Sequence, residues 1–292
     1  MKPAFTNQAP TTNKAPLAVV CAAGSLPFAV ADAAIAQGRS VVLFALDGIA
    51  DKKRVTNYPH RWAAIGRFGS VVSEARKLGC REVVFVGSLV RPPIWKLRLD
   101  FKTILMLPGL IASFRGGDNH LLTNVGRYAE TLGFRVLGAH EVAPQILIPE
   151  GILTKRQPSQ HELADIRRGF DFLRATGPFD VGQAAVIASN HIWAMEGIEG
   201  TDAVLARIAD LRDTGRIAAT KGTGVLVKAA KPGQDRRFDL PAVGPKTVEG
   251  VVRAGLAGIA VRAGETLAAD VEEMVASADR ENIFIYGVEA TP

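Results

Sequence analysis

The beginning of the chain carries a strand, a turn, a helix and a second strand in succession, a pattern typical of a parallel sheet. LAVVC at 17–21 is a short apolar run, and the AAGS that follows is a turn of small residues. The next residues read as a helix that opens at Pro27 and closes near Gly38, before the apolar run VVLFAL at 41–46. Because crossover helices join parallel strands, this βαβ unit predicts a Rossmann-like α/β domain.

The ligand of such a domain is expected beyond the carboxyl ends of the strands, where Gly24, Gly48 and Gly87 lie. The first turn makes Gly24, Ser25 and Leu26 candidate phosphate-binding residues, because backbone N–H groups and the helix dipole favour an anion there. The turn lacks the full G-x-G-x-x-G spacing, so a plain tight turn is an equal alternative. Further elements of this half are predicted as strands at 62–65, 82–87 and 135–139 and helices at 70–79 and 120–133.

The length of 292 residues suggests two domains, at a prior of about 150 residues per domain. The second half predicts a helix after 160, two short strands with a turn at Ser189-Asn190, and further strands at 224–229, 258–263 and 282–288, with helices among them. The predicted fold class is therefore α/β, with an N-terminal Rossmann-like parallel sheet and a smaller C-terminal mixed α/β domain. The predicted boundaries are a disordered tail at 1–15, the Rossmann-like domain at 16–148, a linker at 149–160 and a catalytic domain at 161–292.

The net charge of +6 and the pI near 9.5 favour an acidic partner. An aromatic content of 7% and the lack of an RNP-like or zinc-finger pattern argue against nucleic acid. No apolar run is long enough to span a bilayer, and two cysteines without a spacing pattern indicate a reducing compartment, so we expect a cytoplasmic protein. HExxH, G-x-S-x-G and Walker A patterns are missing, so phosphoryl chemistry must rest on carboxylate-held Mg²⁺ or Mn²⁺ and on basic side chains.

A charged loop, KAAKPGQDRRFDLPAVGPKT at 228–247, is the strongest candidate for that chemistry. Its prolines and glycines exclude a helix. If residues 235–239 run extended, Asp235, Arg237 and Asp239 share one face, and two carboxylates with a cation between them suit a metal and a phosphate together. The alternative is a solvated surface turn with internal ion pairs.

Acidic residues crowd a second segment, AMEGIEGTDAVL at 194–205. Glu196, Glu199 and Asp202 would repel one another unless a metal or a cationic ligand is present. Thr201 or Asp202 can cap the helix that follows. Capping leaves Glu196 and Glu199 unexplained.

The segment RPPIWKLRLDFKTILMLPGLIASFRGG at 91–117 places basic groups beside large apolar side chains. This composition suits an amphiphile with an anionic head and an acyl tail, or a membrane surface; a half-buried element covering the core is the alternative. Asp118 or Asn119 then caps the helix that begins in GGDNHLL.

Three stretches together resemble the metal-dependent UDP-2,3-diacylglucosamine pyrophosphatases of lipid A biosynthesis, the family unrelated to calcineurin-like phosphoesterases. They are DVGQAAVI (180–187), EGIEGTDAVL (196–205) and KAAKPGQDRRFDLPAVGPKTVE (228–249), preceded by GSLP, RPP and GDNHLL. Two departures are Ala22, where the family usually has glycine, and Asn119, where a second aspartate is common. The resemblance implies hydrolysis to UMP and 2,3-diacylglucosamine 1-phosphate (lipid X), with water attacking the β-phosphorus, on the cytoplasmic side of the inner membrane.

With that resemblance, Asp235 is expected to be a metal ligand and Asp239 a second ligand or a water-orienting base, with Mg²⁺ or Mn²⁺ as the cofactor. Lys228, Lys231 and Arg237 would neutralise the diphosphate, and Glu196 or Asp202 would complete the metal shell. Gln234 and Thr201 would position phosphate or sugar hydroxyls. The full substrate-binding set comprises Gly24, Ser25, Leu26, Gly87, Asp118, Asn119, Thr201, Asp202, Gln234 and Thr247.

Two other functions stay open at this point. A UDP-sugar-dependent transferase also uses two α/β domains, but needs a lipid-linked acceptor. A non-catalytic binder of phosphorylated lipid or nucleic acid would depend on its basic residues and not on its carboxylates. A lipid-linked substrate also implies transient contact with the inner-membrane surface, whereas the sequence allows a homodimer without requiring one.

Overall fold

The computed structural model describes residues 15–89, 100–101, 103–104 and 120–289, without the side chains of 120–122. Residues 1–14 of the predicted tail, nearly all of 91–117, and Asp118 and Asn119 lie outside the described residues, so what was predicted for them stays a prediction. The chain divides between Ala143 and Pro144 into two compact units. This boundary makes the second unit slightly the longer of the two, whereas the sequence predicts it to be the smaller.

The first unit contains a five-stranded sheet in which all strands are parallel, in the order β3-β2-β1-β4-β5. The strand order reverses at β1, which is the arrangement of a Rossmann-like domain and confirms the predicted fold class. A strand of a parallel sheet is covered on both faces, so nearly all of its side chains are apolar. This is why the continuous apolar runs of the sequence form strands. The strands are β1 (Leu17–Cys21), β2 (Val41–Leu46), β3 (His60–Ala63), β4 (Glu82–Val86) and β5 (Arg135–Leu137), and the helices are α1 (Leu26–Ala36), α2 (Lys52–Val55), α3 (Phe68–Lys77), α4 (His120–Thr131) and α5 (Ala139–Val142).

The second unit contains a six-stranded mixed sheet and a two-stranded parallel sheet, which confirms the mixed α/β prediction. The six strands are ordered β6-β13-β11-β9-β7-β8. Strands β13, β11 and β9 are parallel to one another, and the pairs β6–β13, β9–β7 and β7–β8 are antiparallel. The strands are β6 (Gly151–Ile152), β7 (Ala184–Ala188), β8 (His191–Met195), β9 (Val225–Lys228), β10 (Ala242–Val243), β11 (Gly258–Arg262), β12 (Leu267–Ala268) and β13 (Phe284–Val288), and the helices are α6 (Gln160–Thr176), α7 (Thr201–Asp213), α8 (Pro245–Arg253) and α9 (Val271–Arg280).

Helices cover both faces of the six-stranded sheet. On one face α6 contributes Ile166 and Phe170 to a buried cluster with strand residues. Gly169 lets this helix approach the sheet closely, because a Cβ there would lie 2.6 Å from the Cγ2 of Val227. On the opposite face Ile208 of α7 and Met274 of α9 are fully buried in a second cluster. The two layers fix the strand ends on which the candidate site depends.

Local signals explain two further features of this unit. Ser189 and Asn190 both have positive φ, 49° and 65°, in the tight turn that joins β7 to β8, as predicted. The segment 149–160, predicted as a linker, carries β6, and Ser159 and Glu162 form a capping box at the start of α6. Among the helices that the structure describes, none has the length and apolar content needed to cross a bilayer.

Candidate active site

Lys228, the last residue of β9, is the centre of the candidate site. It is buried, and its Nζ donates a hydrogen bond of 2.9 Å to the carbonyl oxygen of Ala242. Burial lowers the pKa of this ammonium group, and the negative charges of Glu196, Asp202 and Asp239 act in the opposite direction. The structure therefore gathers one buried cation and three of the predicted carboxylates.

Glu196 follows β8 and is held by two hydrogen bonds. Its Oε2 accepts from the backbone N–H of Gln183 at 2.9 Å, and its Oε1 accepts from the Thr201 hydroxyl at 3.0 Å. The prediction that Thr201 or Asp202 caps α7 is wrong: Gly200 is the N-cap residue, without a side-chain cap. The Thr201 hydroxyl donates to the Glu196 carboxylate instead.

Close backbone packing keeps Glu196 in this position. The backbone N–H of Gly182 donates to the Glu196 carbonyl oxygen at 3.0 Å. A Cβ on Gly182 would lie 2.4 Å from that oxygen and 2.5 Å from the Glu196 Cβ. Any larger side chain at 182 would therefore displace Glu196.

Gln183 joins this acidic segment to the charged loop. Its side-chain amide donates to the side-chain oxygen of Gln234 at 3.0 Å, and its backbone carbonyl accepts from the Ala229 N–H at 3.0 Å. The Gln234 amide in turn donates to Asp239. Burial raises the pKa of Asp239, opposed by the hydrogen bond from the Gln183 side chain and by the charge of Lys231.

Residues 235–239 form a turn, so the condition under which Asp235, Arg237 and Asp239 would share one face is not met. The N–H of Phe238 donates to the Asp235 carbonyl oxygen at 3.0 Å, which closes the turn. The Asp235 carboxylate accepts from Arg237 through the backbone N–H at 3.1 Å, Nε at 3.0 Å and Nη2 at 2.8 Å. Asp235 and Arg237 are thus a bidentate ion pair, while Asp239 turns towards Gln234.

Contacts on both sides anchor the charged loop. Lys231 forms an ion pair of 2.9 Å with Asp180, the residue after the 3-10 turn Gly177–Phe179. Pro232 packs against Gly177, where a Cβ would lie only 2.5 Å from the proline Cδ. Arg236 forms an ion pair with Glu265 in the turn after β11. These contacts hold the loop's polar groups in one arrangement.

The beginning of α8 holds two more predicted residues. Lys246 binds Asp202 at 2.5 Å, which connects the first turns of α7 and α8. The Thr247 hydroxyl accepts from the Gly244 N–H at 3.3 Å. The negative charge of Asp202 acts on Lys228 and raises the pKa of its ammonium group. The Thr247 hydroxyl, in contrast, binds a backbone N–H at the start of α8.

The other predicted residues lie in the first unit, where the strand order reverses. Gly24 has φ of 97° and precedes α1, and Ser25 is buried at the N-cap position without a side-chain cap. Gly87 follows β4 with φ of 106°, and a Cβ there would lie 2.6 Å from the carbonyl oxygen of Ala23. The structure brings Gly24, Ser25, Leu26 and Gly87 together around this turn, as expected from a Rossmann-like fold.

Comparison with known proteins accounts for both units. The model of the LpxI N-terminal domain matches residues 16–146, and that of the LpxI C-terminal domain matches residues 149–286. The chain belongs to the LpxI family. A curated relative named UDP-2,3-diacylglucosamine pyrophosphatase LpxI, from Caulobacter vibrioides, is 39% identical over 273 residues, which cover 94% of this chain and 97% of the relative.

A solved structure of Thermus thermophilus UDP-glucose 4-epimerase with NAD is 14% identical, with a TM-score of 0.30 over 95% of this chain and 86% of the epimerase chain. A match this weak carries no argument. The assignment to the LpxI family rests on the two domain models and the Caulobacter relative.

The carboxylates predicted as metal ligands are only partly brought together. In the described part of the chain, no group of three or more His, Cys, Asp or Glu residues is arranged to hold a metal, so Asp235, Asp239 and Glu196 do not form a complete ligand set by themselves. Mg²⁺ commonly uses only one or two carboxylates and takes its other ligands from water and substrate phosphates. Glu196 and Asp239 both contact Gln183, through its backbone N–H and its side chain, so they are the two carboxylates to which such a role can be proposed.

Two residues of the LpxI-family site are missing from the sequence-based candidates, Gln183 and Asp180. Gln183 contacts the acidic segment and the charged loop, and Asp180 pairs with Lys231. Both lie in DVGQAAVI, where two polar residues directly precede a buried apolar strand. Polar residues beside the end of a buried strand are the sequence signal by which Asp180 and Gln183 could have been found.

Proposed function

We propose that this chain hydrolyses the diphosphate bond of UDP-2,3-diacylglucosamine, with UMP and 2,3-diacylglucosamine 1-phosphate (lipid X) as products in lipid A biosynthesis. The name of the Caulobacter relative, which aligns over nearly the whole chain, supports this substrate. The observation that carries the proposal is the buried Lys228 beside Glu196, Asp202 and Asp239. A buried cation among carboxylates can receive a diphosphate and a divalent metal together.

Lys228 has the donors that a diphosphate needs. An ammonium group has three N–H donors, and within the described residues Lys228 makes one hydrogen bond, to Ala242. The two further donors are available to phosphate oxygens. Lys231 adds a second cation on the loop, already oriented by Asp180. In a site without bulk water, such charges stabilise the negative transition state strongly.

Asp239 has the properties of the base that accepts a proton from the attacking water. Its burial favours the protonated form and makes the carboxylate more basic than an exposed aspartate. In the alternative role, Asp239 and Glu196 would hold a Mg²⁺ or Mn²⁺ ion that neutralises the diphosphate oxygens and polarises the scissile bond. The Asp235 carboxylate is already paired with Arg237. To act as the metal ligand that the sequence predicts, it must bind the ion and Arg237 at the same time.

In the proposed reaction, water attacks the β-phosphorus, the bond from that phosphorus to the bridging oxygen breaks, and UMP leaves with the bridging oxygen. One proton of the water passes to the base. The water oxygen therefore ends in the lipid 1-phosphate. Gln234 and Thr201 are proposed to position the substrate, since each already contacts one of the two carboxylates.

Incubation of the purified protein with UDP-2,3-diacylglucosamine and Mg²⁺ in H₂¹⁸O tests this proposal. Mass spectrometry should find one ¹⁸O in 2,3-diacylglucosamine 1-phosphate and none in UMP. Label in UMP would place the attack on the α-phosphorus. A substrate that stays intact without an acceptor would overturn hydrolysis in favour of a transferase.

A cytoplasmic location and transient contact with the inner-membrane surface are proposals that follow from the lipid substrate. Sedimentation of the protein with vesicles of inner-membrane composition, with and without substrate, tests the membrane contact. Analytical ultracentrifugation of the purified chain decides whether it forms a homodimer.

A further inference from the structure

Two large apolar side chains stand out by their exposure. Ile198 is 98% exposed and Phe179 is 80% exposed, the highest values among the large apolar residues that the structure describes. Most side chains of this kind in the second unit are buried in the two clusters on either face of its sheet. Leaving an isoleucine or a phenylalanine in water forgoes a favourable burial energy, so their location matters.

Both residues lie within a few positions of residues of the candidate active site. The hydrogen bond from Gly182 to Glu196 continues the pairing of β7 and β8 beyond the strand ends. Phe179 lies three residues before Gly182 and directly precedes Asp180, the partner of Lys231. Ile198 lies two residues after Glu196. The polar groups of the site therefore have an exposed apolar side chain on each of the two chain segments that enter it.

The backbone holds both side chains outward. The Glu199 carboxylate accepts from the Gly197 N–H at 3.1 Å and pairs with Arg207 at 3.5 Å, which fixes the segment on both sides of Ile198. Phe179 ends a 3-10 turn whose first residue, Gly177, packs against Pro232. A ligand that covers these side chains thus meets an ordered surface and loses little affinity to ordering it.

We propose that Phe179 and Ile198 contact the acyl chains of the substrate while its diphosphate lies at Lys228. This inference rests on the proposed function. In 2,3-diacylglucosamine the acyl chains and the diphosphate are attached to one sugar ring, so the chains must leave the site beside its polar groups. Because these chains are attached to the same sugar ring as the diphosphate, they are the apolar groups nearest to Phe179 and Ile198 when the diphosphate lies at Lys228, which makes the substrate's own chains the occupant.

A chain-length series measures this contact directly. Binding of 2,3-diacylglucosamine 1-phosphate, with acyl chains short enough to remain monomeric in water, is measured by calorimetry for the wild type and for the Phe179→Ser/Ile198→Ser variant. In the wild type, affinity should rise by up to about fourfold for each methylene that becomes buried. In the variant this rise should be largely lost, with at least a tenfold weaker affinity for the longest chain. The KM for the matching UDP-linked substrates should change in parallel.

Ile152 and Val271 provide the matched control, since each is 38% exposed in the same unit and neither lies beside the site residues in sequence. The Ile152→Ser/Val271→Ser variant should keep the wild-type chain-length dependence. Equal chain-length dependence in the wild type and in the Phe179/Ile198 variant would overturn the inference. So would a variant that loses only its binding to vesicles, because the two residues would then contact a bilayer. Chain-length-dependent product binding without turnover of any UDP-linked substrate would overturn the proposed function but retain this contact.

Discussion

The ammonium nitrogen of Lys228 donates a hydrogen bond of 2.9 Å to the carbonyl oxygen of Ala242, at the end of a strand whose residues are all buried. Lys228 follows three apolar residues in β9, so its position is fixed by the core of the second unit. The Ala242 carbonyl, at the start of β10, accepts this hydrogen bond and so holds the ammonium group in place. A charged group in a core position is costly, which favours a functional reason for its presence.

Lys228→Met retains the length of the side chain and removes the charge and its donors. We expect kcat/KM to fall by about 10²–10³, the usual effect of removing one preorganised donor from a dry site. Steady-state hydrolysis of UDP-2,3-diacylglucosamine measures the loss, and circular dichroism confirms folding. The control is Lys221→Met, an exposed lysine in the loop before β9, which should retain full activity. Normal turnover by Lys228→Met would contradict a role in binding the diphosphate.

The Asp235–Arg237 pair allows two roles for Asp235 to be separated. Asp235→Asn should lower kcat by at least about 10², because a ligand or substrate contact needs the carboxylate charge. Arg237→Gln is expected to cost less. If Asp235 acted only by orienting Arg237, the two single variants would lose equal activity and the double variant no more than either. A double-mutant cycle on kcat distinguishes these results.

The sequence predicted the elements whose pattern is local. The strand at 41–46 was recognisable because a run of six apolar residues is typical of a strand that is covered on both faces of a sheet. Its observed bounds are Val41–Leu46. The turn at Ser189-Asn190 was recognisable because Asn tolerates a left-handed backbone. Neither inference required knowledge of a distant residue.

The geometry of the candidate site depends on distant residues and could not be predicted in the same way. Gln183 and Gln234 are 51 positions apart, and no periodicity in either segment indicates their hydrogen bond. The extended conformation assumed for 235–239 failed because the Asp235 carbonyl and carboxylate both bind groups within the next few residues. Asx-type turns of this kind, in which an aspartate side chain accepts from a backbone N–H two residues on, compete with extended structure.

The raised pKa of Asp239 predicts the acidic side of the pH profile. If Asp239 is the base, kcat/KM should fall as the pH drops through a pKa above the ordinary value of 3.8. The Gln183 hydrogen bond lowers this pKa, so Gln183→Leu should move the acidic limb to higher pH. A pH profile of both proteins measures the shift, and Gln183→Leu with an unchanged limb would argue against Asp239 as the titrating group.

The same pKa shift predicts a stability effect with a definite sign. Because the folded-state pKa of Asp239 is raised, the folded protein binds this proton more tightly than the unfolded chain, and stability is lost as the pH rises through the two pKa values. Asp239→Asn, which mimics the protonated form, should therefore raise the melting temperature at neutral pH. The gain should vanish below pH 3.8, where both states are protonated. Thermal unfolding at the two pH values is the measurement.

Gly87 and Gly24 form a matched pair for the turn of the first unit. Both have positive φ, 106° and 97°, so alanine is strained at either position, at a cost of about 1–3 kcal/mol. A Cβ at Gly87 would also lie 2.6 Å from the Ala23 carbonyl oxygen, whereas nothing lies within 4 Å of one at Gly24. Gly87→Ala should thus lower the free energy of unfolding clearly more than Gly24→Ala in urea denaturation. Equal losses would mean that the close approach of β4 to the first turn contributes nothing.

Metal removal tests whether the carboxylates of the site hold a cation. Treatment with EDTA followed by desalting should abolish turnover, and added Mg²⁺ or Mn²⁺ should restore it, whereas a purely electrostatic binder would respond mainly to salt. Glu196→Gln should raise the metal concentration needed for half-maximal activity and weaken Mn²⁺ binding observed by electron paramagnetic resonance. Glu199→Gln is the control, because the Glu199 carboxylate already binds the Gly197 N–H and Arg207. If chelation leaves the rate unchanged, Lys228 and Lys231 must neutralise the diphosphate without a metal ion.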